Sequence, residues 1–343
     1  MGAKDSWLGE VRTLLDATKP QPATQYAADG LIAVPSVNII YGAPASMKSL
    51  ILADLAVCVA AGREWLPPLP DDKSGIEPIK TAGLPALWLD FDNGAHRTNN
   101  RLAAFAKTYG AEAAPFYILS MPAIGFDATR TGLVVDMIDF VGTLGARFIV
   151  VDNLLTISGG KDENAPEIGQ VMTNLRLLSE KTQSAVNVIH HARKQSGFKG
   201  GLGDDLRGHS SIRGAVDLAL FVEREEGSDI INVRSTKSRD VDPEPFGALF
   251  TYTHIPGTRD LDTAAFWGQR ASGVETTADV ERAIVDALVK AGKPLSQADL
   301  VKAVQSAGLK AGRDRIRSIA ARLAQSLRIN VTSGPRGAVL YHA

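Results

Sequence analysis

"YGAPASMKSL", residues 41–50, has the frame of a phosphate-binding loop. Gly42 is followed by Ala43, Pro44, Ala45 and Ser46, then Met47, Lys48, Ser49 and Leu50. Such a loop works because backbone N–H groups at a helix start wrap phosphate oxygens, while the lysine reaches the outer phosphates and the hydroxyl holds Mg²⁺. The flanking pattern supplies the right context. An apolar run, "VNIIY" (37–41), predicts a strand before Gly42, and "SLILADLAVCVAAG" predicts a helix after Lys48. Met47 stands where the motif has glycine. If residue 47 takes helical torsions, its N–H still serves; if it needs a positive φ, methionine costs about 1 kcal/mol there.

Outward from this loop the pattern alternates. Short runs rich in β-branched residues predict buried strands at 86–91, 116–120, 147–152, 185–191, 217–223, 230–235 and 248–254, with helical patterns between several of them. Strands that are apolar on both faces and alternate with helices imply a mainly parallel sheet flanked by helices, an α/β fold. The last strands follow one another through short turns, which implies an antiparallel edge. Residues 5–19 carry Trp7, Leu8, Val11, Leu14 and Leu15 at helical spacing, then prolines break the pattern. They are expected to form one amphipathic helix, packed on its own domain or docked on a neighbouring subunit. The expected division is an N-terminal helix and linker (1–29), a large α/β domain (30–272) and a small C-terminal domain (273–343).

Composition narrows the class. The 343 residues are 45% hydrophobic and 22% charged, with a net charge of −1. This is ordinary for a globular chain with a real core, so any nucleic-acid surface must be local. One cysteine, Cys58, excludes an internal disulfide and a cysteine-rich zinc site. No run approaches the ~20 apolar residues of a membrane helix, and a cytoplasmic location is expected.

A nucleotide site needs companions. "RFIVVDNLL" places Asp152 at the end of an apolar strand, where a charge is costly unless used. It reads as the acid that holds magnesium, or as a structural cap. "ALWLDFDNG" offers Asp90 and Asp92 as a water-activating carboxylate, Asp92 being favoured because it lies at the strand tip where open parallel sheets bind ligands. "NVIHHARK" ends a further strand with His190 and His191, which point to opposite faces: either one sits by a phosphate while the other packs, or both are structural. The glycine-rich stretch 193–214 carries Lys194, Phe198, Lys199, Arg207 and Arg213, a mobile loop or a single-strand nucleic-acid contact. "INVRSTKSRD" places Lys237 and Arg239 at a strand tip, to pair with local acids or to reach a neighbour's phosphates.

Residues 277–343 read as three helices and two strands around a Gly-Pro turn, the layout of a winged-helix domain. Ser296 and Asp299 are placed to cap its second helix. Between 310 and 336, Lys310, Arg313, Arg315, Arg317, Arg322, Arg328 and Arg336 face one acid, Asp314. A basic third helix with an arginine at the hairpin tip suits contacts to duplex DNA; a solvated face of a protein–protein module is the alternative.

Taken in order, "YGAPASMKSL", "LWLDFDNGAHRTNNRL", "FIVVDNLLTISGG", "VNVIHHARK", "LRGHSSIRGAVDLALFVER" and "RSTKSRD" resemble the RecA-superfamily ATPases of the RepA/DnaB-like hexameric helicase branch over residues 30–255. The resemblance implies ATP and Mg²⁺ as cofactors and a ring of about six subunits. Lys48 and Ser49 look like the Walker A lysine and Mg²⁺ ligand, and Asp152 looks like the Walker B acid. Asp92 stands where that branch has its catalytic glutamate. His190 or His191 looks like the γ-phosphate sensor, and Lys237 and Arg239 look like the pair given to the adjacent subunit. Arg207 and Arg213 flank a segment similar to one that leads into nucleic-acid-facing loops. Met47 and the shorter Asp92 depart from the pattern and imply slow turnover. The expected function is an ATP-driven DNA motor, a replicative or accessory helicase of a phage or mobile element. It would hold single-stranded DNA at the ATPase loops and could meet duplex DNA at the C-terminal unit. A nucleotide-switched initiator, loader or regulator is the alternative, and a recombinase fits less well.

Overall fold

A computed structural model describes residues 3–72, 76–161, 165–191, 210–224, 227–239, 243–271, 277–309, 311–334 and 339–342. The chain begins with two short helices, α1 (Ala3–Glu10) and α2 (Leu14–Ala17), rather than one. The break has a local cause. Thr13 accepts a hydrogen bond from the Asp16 N–H, and the Asp16 carboxylate accepts one from the Thr13 N–H, a capping box that starts a new helix. None of the five apolar side chains read in this arm is covered: exposure runs from 62% at Leu8 to 82% at Leu14. Packing on its own domain therefore does not describe the arm, although Glu10 pairs with Lys181 at 2.9 Å.

A hairpin follows, β1 (Gln25–Ala28) and β2 (Ile32–Val34), so part of the stretch read as linker is paired. Next come β3 (Ser36–Gly42), α3 (Lys48–Ala61), β4 (Ala86–Asp90), α4 (Ala95–Tyr109), β5 (Phe116–Ser120), α5 (Thr131–Leu144), β6 (Phe148–Asp152), α6 (Glu167–Thr182) and β7 (Ala185–His191). A short helix α7 (Ser210–Ala215) precedes four successive strands: β8 (Leu218–Arg224), β9 (Ile230–Ser238), β10 (Phe246–His254) and β11 (Leu261–Gln269). The nine strands from β3 to β11 form one sheet in the order β11-β10-β9-β8-β3-β7-β6-β4-β5. From β8 to β5 neighbours are parallel; β8, β9, β10 and β11 pair antiparallel. Two apolar layers sandwich this sheet. One packs α3 and α4 on one face; the other packs α5, α6 and α7 on the opposite face. The first is pinned by a fully buried carboxylate: Asp54 of α3 accepts from Trp65 Nε1 at 2.8 Å and from the Tyr109 hydroxyl at 2.5 Å.

The remaining elements are α8 (Thr277–Ala291), β12 (Leu295–Ser296), α9 (Gln297–Ser306), α10 (Arg313–Gln325), β13 (Asn330–Ser333) and β14 (Val339–His342). They share a separate core of Val280, Ile284, Leu300, Ile316, Leu323 and Tyr341, under a small antiparallel sheet in the order β12-β14-β13. Ser296 caps α9 by accepting from the Asp299 N–H at 3.2 Å. The charge pattern differs from the sequence reading. Acids remote in sequence meet the arginines: Arg315 pairs with Glu244 at 3.5 Å, Arg322 with Glu281 at 3.1 Å, and Arg328 with the same Glu281. The basic run is thus partly neutralised.

Candidate nucleotide site

The central strand β3 ends at Gly42, and the chain must turn there against its neighbour. A Cβ at residue 42 would lie 2.2 Å from the Val222 carbonyl oxygen, so only glycine fits. Residues 43–47 then loop over the C-terminal ends of the parallel strands, and α3 begins at Lys48. Two residues of this loop, Ala45 (φ +63°) and Met47 (φ +65°), sit in the left-handed region. The second of the two possibilities for Met47 therefore applies, at a cost of about 1 kcal/mol. The Lys48 ammonium is folded back into the loop, donating to the Ala43 carbonyl at 2.7 Å and the Ser46 hydroxyl at 3.3 Å. Burial lowers its pKa to about 8, with Asp152 opposing the shift.

Strand register brings the acids alongside. Asp90 and Asp152 are paired residues at the ends of β4 and β6. Asp90 is fully buried and saturated: it accepts from Ser120 (2.6 Å), Thr98 (2.7 Å) and the N–H groups of Asn93 (2.8 Å) and Asp92 (3.1 Å). Burial works to raise its carboxyl, but these bonds outweigh it and hold the group below its ordinary value. Asp90 thus shapes the loop that carries Asp92. Two Asp-Asn pairs then exchange amides. Asn93 donates to Asp152 at 2.9 Å, and Asn153 donates to Asp92 at 3.0 Å. Ser49 also donates to Asp152.

Ala45, Met47, Lys48, Ser49, Asp92, Asp152 and His191 line one cavity of about 330 Å³. His191 is the member of the histidine pair that faces it. His190 lies beside Tyr41 in the sheet and is buried; burial, then the charges of His191 and Lys48, push it down to about 4, so it is neutral at ordinary pH. Arg101 of α4 and Arg224 at the end of β8 line the cavity too. Sequence reading missed both, as it missed Asn93 and Asn153; the repeated Asp-Asn at two strand tips was the available signal. Arg101, Arg224, Met47 and Leu50 also line a second cavity of about 550 Å³. One face of β10 walls it with Phe250, Tyr252 and His254, ring centroids 5.1 Å and 5.2 Å apart in succession.

Lys237 and Arg239 do not join this cavity. They lie by the start of β8, where Asp217 bonds to Val37 at the beginning of β3, roughly 17 Å of strand from Gly42. Arg239 donates to Asp217 at 3.0 Å and the Gly214 carbonyl at 2.7 Å, and Lys237 donates to the carbonyls of Arg213 and Gly214. The Arg213 side chain is exposed on α7. Lys194, Lys199, Arg207 and Arg336 lie outside the described residues.

A lysine-tipped loop, a Ser–Asp pair and strand-tip acids at the C-terminal edge of a RecA-like sheet define a P-loop ATPase. A family model described as an AAA domain matches residues 8–197, more than half of the chain, and the chain belongs to that family. Two solved structures show the fold. One, described as an ATPase domain, aligns at a TM-score of 0.50 and 13% identity, covering 73% of this chain and 96% of that one. "The Structure Of A DnaB-Like Replicative Helicase And Its Interactions With Primase" aligns at 0.52 and 13%, covering 77% and 67%. A search of the curated proteins by sequence gives no match. No described helix is long and apolar enough to cross a membrane.

The donor set fits a hard divalent cation. Ser49 and Asp152 offer oxygen, and no described group of three or more His, Cys, Asp or Glu is placed to cage a metal alone. That is the pattern for Mg²⁺, which keeps waters and takes one or two protein ligands beside substrate phosphates. Burial, then the charges of Asp92 and Asp90, raise the Asp152 carboxyl to about 6. Below that pH the free protein carries a proton that metal binding must expel. Mg²⁺-dependent nucleotide affinity is expected to fall about tenfold per pH unit below 6. Calorimetry at pH 7.5, 6 and 5 checks this, with Asp152→Asn flat across the range. The same raised pKa stabilises the ligand-free fold fully only below the unfolded value of about 3.9, and that contribution is lost as pH rises through 6.

Proposed function

We propose that this protein is an ATP-driven DNA motor that works as a ring of copies of itself. The observation that carries the reading is the convergence of Lys48, Ser49, Asp92, Asp152 and His191 on one cavity at the strand tips. In this reading the triphosphate lies over the start of α3, with Lys48 swinging from the Ala43 carbonyl to the outer phosphates, and the nucleoside extends toward the second cavity. Asp92 takes a proton from water as the water oxygen bonds to the γ-phosphorus. The bond from that phosphorus to the β–γ bridging oxygen breaks, and ADP leaves with the electron pair. Bound Mg²⁺ supplies charge neutralisation of the phosphate oxygens. Ser49 and Asp152 would hold it, Asn93 and Asn153 fix the two acids, and His191 senses the γ-phosphate.

Two features support the ring. Lys237 and Arg239 lie too far from their own phosphate loop to serve it, which suits action on a neighbouring copy's ATP. The uncovered apolar arm, Trp7 to Leu15, suits docking on that neighbour. The C-terminal elements, with their separate core, fit a winged helix that meets duplex DNA through α10, and single-stranded DNA is assigned to the ATPase loops. The printed title of one similar structure names a DnaB-like replicative helicase, which accords with a DNA motor.

The test is phosphate release with and without single-stranded DNA, alongside mass measurement with a non-hydrolysable nucleotide. A several-fold stimulation and a mass of several subunits are expected. ATP binding with a flat rate and a monomer mass would sink the motor and favour a nucleotide-switched DNA-binding protein.

A further inference from the structure

Met47 occupies an uncommon place in this site. It holds a left-handed torsion that glycine would adopt freely, yet it carries a large side chain. That side chain is half-buried, packs against the core layer containing α3, and lines both cavities. Leu50, Arg101 and Arg224 are the other residues common to the two. The four form the seam between a chamber of lysine, hydroxyl and carboxylates and a chamber walled by Phe250, Tyr252 and His254.

The seam has a mixed character that matches a particular piece of ligand. A triphosphate meets the N–H groups and Lys48; aromatic rings suit a planar base. What lies between them in a nucleoside triphosphate is a sugar, with C–H groups on its faces. A thioether side chain is unbranched, polarizable and apolar, and it offers such a surface a dispersion contact while offering phosphate oxygens nothing. Arg101 and Arg224, in the same seam, offer polar groups to the other side of such a sugar. A residue needed only to turn the loop would serve as glycine without strain. At this position the chain instead spends conformational energy to place an apolar wall.

We propose that Met47 is a specificity-determining residue that seats the nucleoside, so that the site prefers nucleoside triphosphates to bare polyphosphate. This rests on the reading of the loop as an ATP site. It differs from treating the methionine as a defect, because removal of the side chain should weaken the nucleotide and spare the phosphates.

The test is calorimetry of the full chain with Mg²⁺ and either ATP or inorganic tripolyphosphate, using wild type, Met47→Gly, Met47→Ala and Met47→Leu. Glycine removes both strain and side chain; alanine keeps the strained torsion and removes the side chain; leucine keeps torsion and bulk. ATP affinity is expected to fall about five- to tenfold in the glycine and alanine variants, while tripolyphosphate affinity stays within about twofold. Leucine should hold ATP within about twofold of wild type. Tripolyphosphate binding also reports that the loop is folded in each variant. Tighter ATP binding by Met47→Gly, or an equal loss for both ligands in glycine and alanine, overturns the proposal. Binding of tripolyphosphate by wild type with ATP no tighter overturns it too while leaving the phosphate loop standing. Binding of neither ligand by wild type overturns the ATP reading itself.

Discussion

Asp92→Asn is expected to lower ATP turnover by about 10²–10⁴-fold, the usual worth of a positioned general base, and to leave ATP affinity nearly unchanged. The amide is isosteric and its oxygen can still accept from Asn153, so the strand tip keeps its shape. What it cannot do is take a proton. The loss should therefore appear in kcat with little change in KM, the signature of an interaction needed in the transition state. Asp90→Asn gives the contrasting control. That carboxylate has four protein donors and is fully buried, so its replacement disturbs the loop and lowers thermal stability as well as activity. Asp92→Glu retains the carboxylate on a longer stem and should retain turnover. Phosphate release and nucleotide binding measured on the same preparations separate these cases. Turnover within twofold of wild type in Asp92→Asn would remove Asp92 from the reaction.

Much of this site could be read from the chain before its path was known. Apolar runs announce strands, which is why β3 to β10 were visible, and α3 and α6 showed their helical spacing; α7 (Ser210–Ala215) was not visible, because it begins inside a glycine-rich stretch read as a loop. Strand β11 was not, because "LDTAAFWGQ" mixes polar and small residues, and its place is set by pairing with β10 rather than by its own pattern. Strand β1 was hidden for a similar reason, among glutamines, prolines and alanines. Loop chemistry was legible where one residue type does one job: a lysine before a hydroxyl, an acid ending an apolar strand. It was illegible where the partner is distant in sequence. Nothing local pairs Asn93 with Asp152 or Asn153 with Asp92, since strand order alone makes β4 and β6 neighbours. The same limit misled the charge count in α10, where Glu281 and Glu244 arrive from outside the basic run. For Met47 the sequence posed the right alternatives, and only the backbone torsion chooses between them.

Lys48 has two expected effects of opposite sign, and their opposition is what makes its substitution informative. Lys48→Met is expected to weaken ATP binding and turnover by about 100-fold or more, the scale of removing one preorganised donor from developing phosphate charge. It is also expected to raise the melting temperature of the ligand-free protein. Lys48 is 3% exposed, and burial lowers its pKa from the ordinary lysine value to about 8. A cation with a depressed folded pKa is held charged at a cost wherever both states are protonated, that is, below pH 8. Relief comes as pH rises from about 8 toward the unfolded value of about 10.4. At pH 7.5 the neutral methionine removes that cost and keeps the aliphatic volume, so melting shifts upward; near pH 10 the advantage should shrink. Lys48→Ala loses the same function but leaves a void, so its stability gain is smaller or reversed. A Lys48→Met protein that binds no ATP and melts higher than wild type locates a charge kept in a costly place for the ligand's sake. One that binds no ATP and melts lower has lost a structural lysine, whose bonds to Ala43 and Ser46 were holding the loop rather than waiting for phosphate.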